Sequence, residues 1–397
     1  MDILEIIGRS RGLFHEDIQR HSAEVDEALR GARVLLIGGA GSIGKEIGKQ
    51  LFQRDPAALH VVDLSENNLV ELVRDLRSSL GYGAGETLFL PLDMSSIEMR
   101  AFLSAQKPYD FVLNLAAMKH VRSEKDEFSL MRMIQTNVLA TLETYRHACA
   151  TGARKYFAVS TDKASNPANL MGATKRIMED VLFERDGRTL VSTARFANVA
   201  FSDGSLLHGF RQRFMARQPL SAPRDVRRYF VTGEESGLLC LASLVLGGQR
   251  EIFFPKLNAG LDLLSFSTIA ERFLQAQGFE AVPVASEEEA RARVGELAAR
   301  RRWPCYFFDS DTSGEKPFEE FHTAGDAVDW ARFADIAVIG APRLGPGEAA
   351  RVAGFIAAIE GFRARGSWNK AELVAAIAEA CPDLDHVDTG RFLDQKM

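Results

Sequence analysis

From residue 32 onward, short and almost continuous apolar runs alternate with longer stretches of helical period. RVLLI (33–37), ALHVVD (58–63), ETLFLPLD (86–93), DFVLNLAA (110–117), KYFAVS (155–160) and TLVSTARF (189–196) each read as a strand buried on both faces. Between the first two, GSIGKEIGKQLFQR places Ile43, Ile47 and Leu51 on one helix face. Further helical stretches fall at Ser65–Leu80, Ser129–Cys149 and Leu170–Glu184. Strands alternating with helices at this spacing predict an α/β architecture, a doubly wound parallel sheet covered on both faces.

The flanks are different. Residues 1–30 form a charged helical leader, with Ile3, Ile6, Ile7, Val25 and Leu29 in a partly amphipathic pattern. After Phe201 the alternation fades, and residues 201–345 are expected to form mainly a smaller α/β lobe that binds substrate. SEEEARARVGELAARRR within it reads as a helix with Ser286 and Glu289 at capping-box spacing, its charges a solvated face. GAPRLGPGE reads as a linker. Residues 346–397 follow as C-terminal helices, two of them between Glu348 and Ala380 with Trp368 in between.

Composition narrows the class. The chain has 397 residues, 46% hydrophobic and 26% charged, a globular profile long enough for two lobes. Its net charge of −6 argues against coating nucleic acid and leaves room for a small anion held by local cations. Cys149, Cys240, Cys305 and Cys381 lie far apart without a CxxC pair, which fits a reducing cytoplasm. The leader lacks the apolar core of a signal peptide, and the longest apolar run, Leu238–Leu246, is too short to cross a bilayer. The histidines show no metal-ligand spacing, so no metal is expected.

Gly38, Gly41 and Gly44 stand between the first strand and its helix. A dinucleotide pyrophosphate rests there on backbone N–H groups at a helix N-terminus, and side chains would block its approach. Asp63 ends the next strand, about 20 residues on, where a carboxylate accepts from ribose hydroxyls and repels a 2′-phosphate. The residues thus predict a Rossmann-type site for NAD rather than NADP; the alternative is a tight turn with a capping aspartate. Asp93 is placed to reach the adenine, or to cap the helix that follows. The small residues Ala116 and Ala117 suit a backbone passing close to a cofactor, or plain helix–sheet packing. The run STDKASNPANLMGATKR (160–176) leaves the carboxyl end of a strand, where ligands bind in open α/β sheets. Met171 and Lys175 share a face of the helix that follows.

These residues carry a resemblance. RVLLIGGAGSIGKEI, NLAAMKHV, STDKASNPANLMGATKR, ARFANV, GSLLHGF, RRYFVT and GEKPFEEF resemble, in order, landmarks of the extended short-chain dehydrogenase/reductases. Within that group the chain is most similar to the nucleotide-sugar 4,6-dehydratases of polysaccharide biosynthesis, of the UDP-N-acetylglucosamine capsule and bacillosamine type. IIGR in the leader resembles the segment that joins membrane and soluble parts in larger members. The resemblance implies a cycle in which NAD takes hydride from sugar C4, a base removes the acidified C5 hydrogen, the C6 hydroxyl leaves as water, and hydride returns to C6. Met171 stands where the wider group carries tyrosine, the form of the configuration-retaining members. Thr161, Asp162, Lys163, Met171 and Lys175 are then the catalytic set. Asp162 and Lys163 do the proton work in an order left open, and Lys175 holds the nicotinamide ribose.

The resemblance extends the cofactor set to Ser42, Ile43, Ser65, Met94, Lys119 and Asn137. For the nucleotide sugar it implies Lys119, His120, Lys163, Asn198 and Ser205, with Arg228 on the pyrophosphate, Arg227 as its rival, and Glu315 on the uridine ribose. Four departures surround that pocket: Ile37, the segment ARFANVAFSDGS, Thr312 with Ser313, and the charged helix at 286–302, which reads as an insertion. A homo-oligomer is expected by fold analogy, packed through the helices Ser129–Cys149 and the one after Met171. The alternatives are an epimerase or 4-oxidoreductase on the same scaffold, or a dinucleotide-binding protein without chemistry.

Overall fold

The six apolar runs become β1 (Arg33–Ile37), β2 (Ala58–Asp63), β3 (Glu86–Pro91), β4 (Phe111–Asn114), β5 (Lys155–Thr161) and β6 (Leu190–Phe196) in the computed structural model. It describes residues 2–184, 187–257, 263–311, 316, 318–341 and 343–386. These strands are parallel and lie in the order β6-β5-β4-β1-β2-β3. Leu35, Leu36, Val61, Leu113 and Phe157 are buried between helices on the two faces. Each such side chain contributes about 1.5–3 kcal/mol of burial. The chain reverses direction across the sheet between β1 and β4, the place where open α/β sheets bind ligands. Register pairs Ile37 with Asn114 and Asn114 with Ala158, so the loops after β1, β4 and β5 leave one edge side by side.

The region 201–345 is divided between two sheets. Glu251–Pro255 joins β6 in parallel, and Ile336–Gly340 and Val328–Asp329 add antiparallel strands beyond it, extending the large sheet to nine. The small lobe has its own parallel sheet, ordered Glu280–Val284, Arg302–Phe308, Leu220–Pro223. The charged helix Glu287–Ala298 is the crossover between the first two of these strands. Its Ala290, Val294 and Leu297 are buried, so it is an integral part of this lobe. Ser286 accepts from the Glu289 amide as its cap.

The leader breaks into three helices, Ile3–Ile6, His15–Arg20 and Ser22–Leu29. Ile6 and Ile7 enter the core of the small lobe, while Leu13, Phe14 and Ile18 enter that of the large sheet. Arg9 pairs with buried Glu235 between them, so the leader straps the lobes together. The helix expected at Ser129–Cys149 runs as Glu127–Ile134, a π turn at Gln135–Leu139, and Ala140–Thr151.

The expected subunit-packing faces are buried within this chain. Pro346–Arg365 and Lys370–Ala380 form a hairpin whose Val352, Phe355, Ile359, Leu373 and Ile377 share one apolar cluster with Leu130, Ile134, Leu170 and Ile177. The two expected helices therefore spend their apolar residues partly on the C-terminal hairpin and partly, through Tyr145, Met178 and Leu182, on the core of the large sheet. All four cysteines are free thiols. Among the described residues, no helix is long and apolar enough to cross a membrane.

Candidate functional site

The cradle after β1 is shaped by what glycine omits. Gly38 has φ +73°, and a Cβ there would meet the Ala116 amide nitrogen at 2.5 Å. A Cβ on Gly44 would fall on the Gly38 carbonyl oxygen, 2.6 Å from Gly39 Cα. The helix Ser42–Phe52 starts at Gly41 with no side-chain cap, as an anion-binding N-terminus requires. Asp63 closes the cradle: its carboxylate accepts from the Ala40 amide (2.9 Å) and the Ser65 amide (2.9 Å). Ser65 in turn caps the next helix, and Ile43 packs against the core.

Asp93 accepts from the amide and hydroxyl of Ser95 and from Arg132. Burial opposes its charge, but these donors outweigh it and hold the carboxyl below its usual range. The cap of the following helix is Ser96. Met94 is buried beside it. Ala116 and Ala117 are half-buried in the loop after β4. Asn137, in the π turn, is fully buried; it holds both backbone groups of Met118 and donates to Thr174. It therefore supports that loop from behind, a recurrent use of π turns.

Asp203 ties the substrate side to the cradle. Its amide donates to the Ser42 hydroxyl (2.8 Å), Ser42 donates back to its carboxylate (3.0 Å), and its carbonyl accepts from the Lys119 ammonium (2.9 Å). Desolvation lowers the Lys119 pKa, against the pull of Asp203. Desolvation, then Lys119 and Arg122, lower that of His120. The His120 ring lies against Gly204, where a Cβ would meet Nε2 at 3.0 Å and the φ of +72° is one that other residues rarely adopt. Ser205 caps the helix Leu206–Met215. Asn198 lies on a two-residue strand, its amide donating to the Tyr229 carbonyl.

The acid–base side is built around the end of β5. Thr161 donates to Asp162 Oδ1 (2.9 Å), which also accepts from the amide (2.9 Å) and ammonium (3.1 Å) of Lys163. Asp162 is 3% exposed. Burial works against the charge on Lys163, but Asp162 and Glu319 outweigh it and hold the ammonium above its usual pKa. Lys175 is buried and donates to the Val159 carbonyl (3.0 Å). Burial pushes its pKa down to about 8, against Glu179. Met171 sits in the apolar cluster beneath the C-terminal hairpin, its amide donating to buried Glu124 (2.7 Å).

Two chain-distant groups complete this side. Arg228 is buried; its guanidinium donates to the carbonyls of Arg227 (2.8 Å) and Lys316 (2.9 Å) and faces Glu319 at 3.8 Å. Arg227 is exposed. Glu319, 3% exposed, stands 3.8 Å from the Lys163 ammonium. Burial first, then Asp162, pushes its carboxyl up to about 7, while Lys163 and Arg228 pull the other way. Glu315 lies outside the described residues. Glu319, Asp203 and Glu124 are absent from the sequence-based set. Glu319 left a trace there inside GEKPFEEF, and Asp203 inside ARFANVAFSDGS.

The 318–321 stretch is held in place from behind. Arg195 donates to the Phe321 carbonyl (2.8 Å) and makes a bidentate pair with Glu179 (3.0 and 2.8 Å), itself bonded by Ser160 (2.6 Å). Lys316 donates to the Asn166 carbonyl, and Asn166 donates to Glu320 (3.0 Å). A backbone cradle for an anion thus adjoins a partly buried acid–base cluster at one sheet edge.

The profile of the family described as "Polysaccharide biosynthesis protein" matches residues 34–300. A "UDP-N-acetylglucosamine 4,6-dehydratase (inverting)" of Campylobacter jejuni is 30% identical over 238 residues, covering 57% of this chain and 67% of that protein. Among solved structures, Pen from Bacillus thuringiensis superposes with TM-score 0.65 at 23% identity, covering 79% of this chain and 89% of that one. DesIV, a dTDP-glucose 4,6-dehydratase from Streptomyces venezuelae with NAD and TYD bound, gives 0.52 at 19%, covering 70% and 88%. Matches to three further curated relatives span 66%, 41% and 50% of those proteins' lengths. On this evidence the chain has the extended short-chain dehydrogenase/reductase fold and belongs to the polysaccharide biosynthesis protein family.

Proposed function

We propose that the protein is an NAD-dependent nucleotide-sugar 4,6-dehydratase, a hydro-lyase acting on UDP-N-acetylglucosamine or a related NDP-hexose. The observation that carries this reading is the cluster of half-buried Thr161 and Lys163 around buried Asp162, set beside a glycine cradle that a single Cβ would fill. The fit to NAD rests on that cradle, the uncapped helix start at Gly41 and the Asp63 carboxylate. NAD on DesIV, of the same fold, supports it. When bound, NAD supplies the hydride acceptor and donor of the cycle. The chain's own residues do the rest. Gly38, Gly41 and Gly44 let the backbone approach the diphosphate, and Lys175 adds a cation beneath the site. Asp162, nearly fully buried, and half-buried Lys163 exchange protons with the sugar. Lys119, His120, Asn198, Ser205, Arg228 and Glu315 are proposed for the nucleotide sugar.

Met171 stands one turn before Lys175 where the wider group carries tyrosine; from the resemblance of this form to the configuration-retaining members we infer retention at C5, unlike the relative named as inverting. Residues 31–200 are assigned to NAD and most of 201–345 to the sugar nucleotide. A homo-oligomer would have to form away from the faces covered by the C-terminal hairpin, and a cytoplasmic site fits the free thiols.

The test is proton NMR in D₂O with UDP-N-acetylglucosamine and a catalytic trace of NAD. The expected result is a 6-deoxy methyl signal, deuterium at C5 and no net NADH. An epimerised product without the methyl signal, or stoichiometric NADH, would establish the epimerase or 4-oxidoreductase instead. No product with UDP-, GDP-, CDP- or dTDP-sugars would overturn the reading.

A further inference from the structure

Two protons must leave the sugar in this reaction and two must be given back. The C4 hydroxyl and C5 each lose one, and the departing C6 oxygen and C5 each gain one. The C4 proton must be stored while a base still waits for the C5 proton, and one carboxylate cannot do both. The site contains a second buried carboxylate. Glu319 stands 3.8 Å from the Lys163 ammonium, which also contacts Asp162 at 3.1 Å.

We propose that Glu319 stores the C4 proton through Lys163, leaving Asp162 to serve C5. This rests on the dehydratase reading and assigns the order of proton transfers within it. In the first transfer a Lys163 N–H bond breaks and a Glu319 O–H bond forms. The neutral amine then takes the C4 hydroxyl proton as hydride leaves, so Lys163 is cationic again. Asp162 takes the C5 proton. As the C6–O bond breaks, Lys163 gives its proton to the departing oxygen and recovers one from Glu319. Asp162, its carboxyl proton exchanged with solvent, protonates C5 when hydride reaches C6. Every group ends in its starting state.

The surroundings fit this role. Glu319 is faced by Lys163, Asp162, Arg228 and Lys316, so its two charge states are set by fixed neighbours. Arg228 is pinned by two carbonyls, and the Phe321 carbonyl is gripped by Arg195. Phe321 stacks on Phe254 at 5.6 Å, which anchors the stretch from the apolar side. Glu319 is thus a positioning residue held by rigid parts, near enough to Lys163 that a small approach closes the hydrogen bond.

The experiment compares wild type, Glu319→Gln and Glu319→Asp. Wild-type kcat should rise with pH through about 7, because the cycle starts from the Glu319 carboxylate. Glu319→Gln should lose that limb and at least about 100-fold in kcat, the lower range for a lost acid–base group. Glu319→Asp should restore part of the rate with a displaced limb. A readout free of activity is the ¹³C carboxyl titration of Glu319 in glutamate-labelled, ligand-free protein, assigned by its loss in Glu319→Gln. Its midpoint should move up in Lys163→Met, which removes the nearest cation. An unmoved pH limb in Glu319→Gln, or an unmoved midpoint in Lys163→Met, overturns the proposal. No product from wild type with any sugar nucleotide overturns the dehydratase reading and the proton route together, and the titration then reports the Lys163–Glu319 coupling alone.

Discussion

The cradle after β1 and the acid–base cluster after β5 occupy neighbouring stretches of one sheet edge, yet their parts come from very different distances along the chain. Gly38, Gly41, Gly44, Asp63 and Ser65 belong to one strand–helix–strand unit, closed by short-range contacts such as Ala40 to Asp63. The cluster needs Asn166 to meet Lys316, 150 positions away, and Arg228 to reach the Lys316 carbonyl, 88 positions away. A local unit can be shaped by omission, because each glycine leaves space the next turn uses. A unit assembled from afar needs charge and hydrogen bonds to fix it, and here those run from the buried Arg195–Glu179 pair to the exposed Asn166–Glu320 bond.

If chemistry resides in the cluster and binding in the cradle, the two should separate on mutation. Asp162→Asn removes a base without removing bulk, and should lower turnover about 10²–10⁴-fold. NAD affinity by calorimetry should stay within about twofold. A parallel loss of affinity would show that the two sides are one unit.

Next in size is the buried pair behind the cluster. Arg195→Met strands the Glu179 carboxylate, 2% exposed, and should cost about 3–5 kcal/mol in denaturant unfolding. Glu179→Gln with Arg195→Met together should recover much of that loss. A double variant as unstable as the single one would show that the Phe321 carbonyl, not the stranded charge, is what Arg195 stabilises.

The cluster should also leave a mark on stability against pH. Glu319 moves from an ordinary 4.5 to about 7 on folding, so the native state binds its proton more tightly. Its contribution is present in full below pH 4.5 and is lost as pH rises through 7, by at most about 3 kcal/mol. Asp180, pushed up to about 6 by burial, falls in the same window. The measurement is therefore the difference between wild type and Glu319→Gln, which should flatten above pH 7. Equal slopes would remove Glu319 as a titrating member.

The cradle's own variant is milder in stability. Gly44→Ala places a Cβ on the Gly38 carbonyl and should cost about 1–3 kcal/mol of overpacking. It should abolish NAD binding detectable by calorimetry while leaving the Glu319 titration in place.

Local units are what a sequence displays. The six strands, the glycine loop, Asp63 and the run around Asp162 all follow from short windows, because strand period, helix caps and turn glycines act over a few residues. Glu319 was legible only as part of an acidic motif, and the nearby Glu315 was the residue singled out. Nothing in the period of the chain says which of two nearby carboxylates a fold turns inward. Asp203 was visible only as one position of the departing segment ARFANVAFSDGS, since its partners Ser42 and Lys119 lie 161 and 84 positions away along the chain. The charged helix at 287–298 was half legible for a related reason: its polar face is obvious, and its three buried apolar residues gain meaning only from the strands on either side.

The smallest expected effect tests how the distant part is held. Glu320 is exposed, and its carboxylate accepts from Asn166 at 3.0 Å. Such a surface contact contributes about 0–1 kcal/mol, so Glu320→Ala should leave global stability almost unchanged. Lys316 still donates to the Asn166 carbonyl, and Arg195 still grips Phe321. Opening of the stretch around Glu319 is a local event governed by the sum of these ties. Loss of one exposed tie should therefore speed amide exchange there by at most about fivefold, with the cradle's amides unaffected. Faster exchange at both places would mean that the Asp203 contacts transmit the loosening to Ser42. The cradle would then be steadied by the same distant packing as the cluster.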